Sequence, residues 1–166
     1  KDGSGKVLYE EALEYVTRKL PHQLADITAA KTVRNLAVTD HLRERLLQCG
    51  AVEGLVALLY REGDEERQLA AVTALINLSL YRPCQLRMRA LEVEAGLVAL
   101  LGASPLGCAA AMCLRQMAVL QASQQRIVEE KGVAKLLAML RETTPISAQD
   151  PVGNSFALSS QTAAIA

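Results

Sequence analysis

Apolar residues recur along this chain with a helical period, and blocks of that pattern return at a near-constant interval. Leu55-Val56-Ala57-Leu58-Leu59 comes back as Leu97-Val98-Ala99-Leu100-Leu101 after 42 positions, and as Leu136-Leu137-Ala138-Met139-Leu140 after a further 39. A second block keeps both steps: Asn35-Leu36-Ala37, Asn77-Leu78-Ser79 and Gln116-Met117-Ala118. Two separate markers sharing both intervals identify an internal repeat, and this interval is that of α-solenoids built from two- or three-helix units.

Taken in order, the pattern predicts a helix over 7–20, with Val7, Leu8, Ala12, Leu13, Val16 and Leu20 forming one apolar stripe. Leu13 stands 42 before Leu55, so this helix is the Leu-rich member of an earlier, partial unit. Pro21 is expected to break it, and a helix follows from His22 to Val38. The next unit reads as a short helix capped by Thr39 or Asp40 and ended by a left-handed Gly50. Its medium helix spans Ala51 to Arg61, and its long helix is capped by Asp64 and runs to Leu80.

The third unit is predicted to start near Pro83, with a short helix to Glu94, a medium helix from Gly96 to Leu101 and a long helix from Pro105 to Leu120. The fourth starts at Ser123, turns at Gly132 and places its medium helix from Val133 to Arg141. Thr143 to Ser155 carries Pro145, Pro151, Gly153 and Asn154, the chemistry of an inserted loop over 143–155, and Phe156 to Ala166 reads as a truncated long helix. The expectation is a single all-α domain over 1–166, with units at 7–39 (partial), 40–80, 83–120 and 123–166, cut from a longer array.

Composition narrows the chemistry. Hydrophobic residues make up 51% of the chain and aromatics only 3%, so the core must be built from Leu, Ala and Val, which favours helices over sheets. Formal charge is zero, with 18 basic and 18 acidic residues, and no segment concentrates enough Lys and Arg to neutralise a run of phosphates. Nucleic acid is therefore not an expected partner. Cys49, Cys84, Cys108 and Cys113 lack the paired spacing of a zinc site and read as reduced core residues of an intracellular protein. The start, Lys1 to Lys6, leads into a charged amphipathic segment rather than the apolar run of a signal peptide. The uncharged span Ala95 to Leu114 is long enough to cross a bilayer, but Gly102, Ser104, Pro105 and Gly107 interrupt it where the repeat places a turn.

The turn glycine, the Leu-rich helix of Gly50 to Leu59 and the Ala-Ala-x-x-Ala-Leu-x-Asn-Leu pattern of Ala70 to Leu78 resemble the armadillo repeat, over roughly residues 7–142. The resemblance implies a right-handed superhelix of three to four three-helix units, with a concave groove lined by the long helices. Members of that family often hold an extended peptide there through a ladder of Asn side chains, whose positions here are Asn35, Asn77 and Gln116. An amide offers both a donor and an acceptor to a peptide unit. The alternative is an amide that bonds only its neighbouring backbone. Family members that import nuclear cargo place Trp four residues before the Asn, whereas here those positions are Lys31, Thr73 and Met112 and the chain has no Trp. Recognition of nuclear-import signals is thus not expected. Lys31, Arg34 and Arg115 beside the ladder would favour an acidic or polar peptide.

No catalytic constellation emerges. His22 and His41 have no partner at metal-ligand or triad spacing, and Gly5-Lys6 lacks the rest of a phosphate loop. Glu10-Glu11, Asp64-Glu65-Glu66 and Glu129-Glu130 fall on polar helix faces or near helix starts. Asn77-Leu78-Ser79 spells a glycosylation acceptor inside a predicted helix. The reading is a non-catalytic interaction scaffold without cofactor or metal, cytoplasmic and part of a larger complex. Two alternatives stand beside it: a structural piece of a cytoskeletal or ciliary assembly, or the substrate-recognition arm of a ubiquitin ligase or other multidomain enzyme. The nucleus stays open as a second compartment.

Overall fold

A computed structural model describes residues 20–61 and 63–143, and every regular element among them is a helix. In chain order these are α1 (Leu20–Leu36), α2 (Asp40–Gln48), α3 (Ala51–Leu59), α4 (Glu65–Leu78), α5 (Arg82–Ala90), α6 (Val93–Leu100), α7 (Pro105–Met117), α8 (Gln121–Glu129) and α9 (Gly132–Thr143). The expected helix over 7–20, the 143–155 loop beyond Thr143 and the terminal helix over 156–166 lie outside the described residues.

The long helices form the spine. α4 packs against α1 on one side and against α7 on the other, while α3 covers α4 and α6 covers α7. Small residues allow this close stacking: Ala70, Ala71 and Ala74 of α4 and Ala109 and Ala110 of α7 are buried at the contacts. Leu75 and Leu78, both fully buried, fill the spaces between them together with Val72, Leu97, Leu114 and Met117. The core is one continuous aliphatic cluster from Ile27 to Ile127, which is how a stack of units shares a core that no unit could close alone.

Several ends differ from expectation. α1 already includes Leu20, with Pro21 in its first turn, where the missing N–H costs nothing. Asp64 caps α4 as anticipated, its carboxylate accepting from the Arg67 N–H at 3.0 Å. Thr39 stands at the N-cap of α2, but neither Thr39 nor Asp40 supplies a side-chain cap; Asp40 instead pairs with Arg43. Ser104 caps α7 by accepting from the Gly107 N–H at 3.1 Å.

The largest correction concerns the turns between short and medium helices. Gly50 is left-handed at φ 75°, as expected. One and two units on, the same turn is made by Glu92 at φ 53° and Lys131 at φ 60°: the first lies four residues before Gly96, which is inside α6, and the second directly precedes Gly132, the first residue of α9, close to where the turn was expected. The steps are again 42 and 39, so the packing of the units enforces this backbone whatever residue occupies it. α6 consequently begins at Val93, three residues before the glycine taken as its start.

A further device recurs at the same steps. Arg43, Gln85 and Gln124 each reach back six residues and donate to the carbonyl just past the preceding long helix: Ala37 at 2.7 Å, Ser79 at 2.7 Å and Ala118 at 2.8 Å. Helix ends leave carbonyls without intrahelical partners, and these side chains satisfy one at every seam between units.

The uncharged span over 95–114 is split between α6 and α7, and no helix among the described residues is long and apolar enough to cross a membrane. Its turn is folded tightly onto α7: a Cβ on Gly107 would stand 2.2 Å from the Gly102 carbonyl oxygen. Only glycine at 107 permits that approach.

Candidate protein-interaction groove

Three long helices in contact bring the candidate positions to successive rungs. Lys31, Thr73 and Met112 are one set at the repeat steps, Arg34, Ile76 and Arg115 the next, and Asn35, Asn77 and Gln116 the third. Each set has one member on α1, one on α4 and one on α7. Asn35, Lys31, Met112 and Arg115 are exposed, whereas Arg34, Thr73, Asn77 and Gln116 are half-buried. The rungs therefore offer solvent both polar and apolar groups.

The polar groups are already partly engaged. Asn77 Nδ2 donates to the Arg34 backbone carbonyl at 2.8 Å, tying α4 to α1. Arg34 in turn donates from Nε and Nη2 to Asn35 Oδ1 at 3.3 and 3.2 Å. Thr73 Oγ1 donates to the Ala70 carbonyl at 3.0 Å, a bond within its own helix. Lys31 Nζ meets Glu66 Oε1 at 3.1 Å, an exposed pair across α1 and α4. The structure thus joins Arg34, Asn35 and Asn77 into one chain of contacts and leaves Met112 and Arg115 standing clear on α7.

Gln116 contributes through its backbone, its carbonyl accepting from Gln85 Nε2 at 3.3 Å. Gln85 and Glu66 are the neighbours that sequence reasoning missed. Glu66 was visible only as a first-turn acid of α4; its partner Lys31 lies 35 residues away, at no repeat step. Gln85 shares its phase with Arg43 and Gln124, but the arginine in the first of these positions hides the equivalence.

Electrostatics elsewhere are quiet. Glu53, beside Arg87, has its carboxyl held below the usual range, first by a backbone hydrogen bond and then by that guanidinium. Burial pushes the thiol of Cys84 up to about 11 and that of Cys113 up to about 12. Cys49 and Cys108 are exposed, which corrects the expectation that all four cysteines belong to the core. Cys49 follows α2 as its C-cap and Cys108 lies on the exposed side of α7, where the apolar character of cysteine is no guide to burial. Among the described residues no group of three or more His, Cys, Asp and Glu side chains is placed to hold a metal ion.

One cavity, of about 380 Å³, lies away from these rungs. Its walls are α1, through Ala29, Ala30 and Val33, and α3, through Gly54, Leu55 and Leu58, with Asp26 and Arg61 at its edge. Arg61 Nη1 and Asp26 Oδ2 are 2.9 Å apart there.

No curated protein matches the chain. Residues 39–80, the span of α2 to α4, match the family model described as Armadillo/beta-catenin-like repeat, and that match together with the stacked, all-helical architecture fits an armadillo-like repeat protein.

Proposed function

We propose that this chain is a non-catalytic scaffold that holds an extended segment of a partner protein along the rungs of α1, α4 and α7. Armadillo repeats are in general interaction units rather than enzymes, which supports the coarse reading. The observation that carries the finer one is the stacking of the three long helices, which repeats exposed or half-buried polar positions one unit apart on touching helices.

The geometry alters which side chains contact the partner. Asn77 commits one of its two amide N–H donors to the Arg34 carbonyl, so one N–H and the acceptor Oδ1 remain for a partner. Asn35 and Gln116 keep more freedom. Arg115 on α7 and Arg34 on α1 place guanidinium groups either side of the central rung, and a guanidinium suits bidentate contact with a carboxylate. The partner segment is accordingly acidic or polar, and the setting is a larger complex in the cytoplasm.

The test is affinity capture with the full chain, followed by charge reversal at Arg34 and Arg115 and by Asn35→Ala with Gln116→Ala. Loss of a captured partner in these variants, with helical circular dichroism unchanged, is the expected result. A partner retained equally by both sets of variants would place binding elsewhere on the molecule.

A further inference from the structure

Exposed apolar side chains run beside the amide ladder, one to each unit. Val38, Leu80 and Val119 each stand two residues past a long helix, after α1, α4 and α7 in turn. They follow one another at the 42- and 39-residue steps and are 65%, 54% and 66% exposed. Isolated exposed apolar residues are ordinary on a protein surface. Recurrence sets this row apart: at every other repeat position among the described residues where a large apolar side chain is exposed, at least one counterpart is polar, small or buried.

The row adjoins the ladder through the backbone. Val38 N–H donates to the Asn35 carbonyl and Leu80 N–H to the Asn77 carbonyl, each at 3.4 Å, so these apolar residues lie one turn beyond the amides. Val119 keeps the same offset from Gln116. Cations flank both rows: Arg34 and Arg115 directly precede amides of the ladder, and Arg82 is exposed two residues past Leu80. Asp40, the acid that shares the phase of Arg82, is paired with Arg43.

The spacing of the rungs selects the conformation of what binds. α1, α4 and α7 touch in series, and the axes of packed helices stand about 8–10 Å apart. A polyproline II segment completes one turn in three residues and about 9 Å, so every third side chain meets a successive helix. A β-strand shows one face at every second residue, about 7 Å apart, and falls out of step. Polyproline II also leaves its backbone N–H and C=O groups free, which an amide ladder requires. We propose that the groove takes a polyproline II segment of a partner protein, with an apolar residue at every third position and acidic residues between, its apolar side chains seated on Val38, Leu80 and Val119. This occupancy rests on the groove reading above, and the apolar row gives it a register.

The probe is a fluorescein-labelled peptide of about nine residues, Leu-Pro-Glu three times over, titrated against the full chain and read by anisotropy. One comparison peptide keeps the composition but places leucine at every second position, and another replaces leucine with serine. The first peptide should bind at least about tenfold more tightly than either, and Val38→Ser, Leu80→Ser and Val119→Ser together should abolish that preference. All these positions are exposed, and circular dichroism checks that the helices persist. Should the triple variant unfold, Leu80→Ser alone carries the test, with an expected loss of about three- to tenfold. Equal affinity for the three peptides, no binding of any of them, or a folded triple variant that keeps the preference would each overturn the proposal. The groove reading would survive those outcomes if a captured partner were still lost on charge reversal at Arg34 and Arg115. Self-association of the parent that Leu80→Ser abolishes would assign the row to a second copy and overturn the proposal equally.

Discussion

Asn77 Nδ2 donates to the backbone carbonyl of Arg34 at 2.8 Å, so a side chain that sequence alone casts as a reader of partner peptides is also a fastener between two units. Asn77→Ala should therefore lower stability by about 1–2 kcal/mol, the cost of leaving a half-buried carbonyl without its donor. Asn35→Ala, at the equivalent but exposed position, should change stability by less than about 0.5 kcal/mol. Urea denaturation of the two variants separates the roles.

Glu92 and Lys131 hold left-handed backbone that costs an L-residue with a Cβ of the order of 1 kcal/mol or more. Glycine already serves at Gly50 in the first of these turns. Replacing Glu92 or Lys131 with glycine should raise stability by about 0.5 kcal/mol each, the relief being partly offset by the greater freedom of the unfolded chain. An upward shift in thermal midpoint for both variants checks this.

The helices themselves were legible in the sequence because apolar spacing and the 42- and 39-residue steps are direct imprints of packing. Gly50 and Asp64 announced their turn and cap through residue chemistry. Glu92 did not, and at the next turn the glycine at 132 marked the place while Lys131 carries the left-handed backbone. The same limit applies to the rungs: the repeat steps mark Asn35, Asn77 and Gln116, but only the folded structure shows that Asn77 is bonded to α1 and that Lys31 is engaged by Glu66. The exposure of Cys49 and Cys108 was likewise beyond reach of residue type alone.

Glu94 is fully buried at the position where the preceding unit has Val52. Ser123 Oγ donates to its Oε1, Arg89 stands 3.8 Å away, and Oε2 has no hydrogen-bond partner. Removing the one close donor should be costly: Ser123→Ala is expected to destabilise by about 1–3 kcal/mol. Adding Glu94→Val to that variant should recover most of the loss, since replacing a whole buried polar pair with apolar groups is often neutral or better. A double-mutant cycle in urea reads the coupling.

The buried thiols make stability fall in alkali. Desolvation raises Cys84 to about 11 and Cys113 to about 12, from an ordinary value of 9.0, so the unfolded chain releases these protons first. Their contribution is complete below pH 9.0 and is lost as pH rises toward those folded values. At pH 8 a thiol reagent should modify Cys49 and Cys108 promptly, and Cys84 and Cys113 only after denaturant is added.

Arg43, Gln85 and Gln124 each close the junction between one long helix and the short helix that follows, always across the same six residues. Each junction thus has its own latch, a side chain holding the carbonyl at the end of the long helix. Weakening a single latch, as Gln85→Ala would, is expected to leave both flanking units folded while loosening the angle between them, which small-angle scattering of the variant would read. In a stack, that angle displaces everything beyond it. In the binding mode proposed above, the spacing of the rungs would thus depend on residues that never face the partner at all.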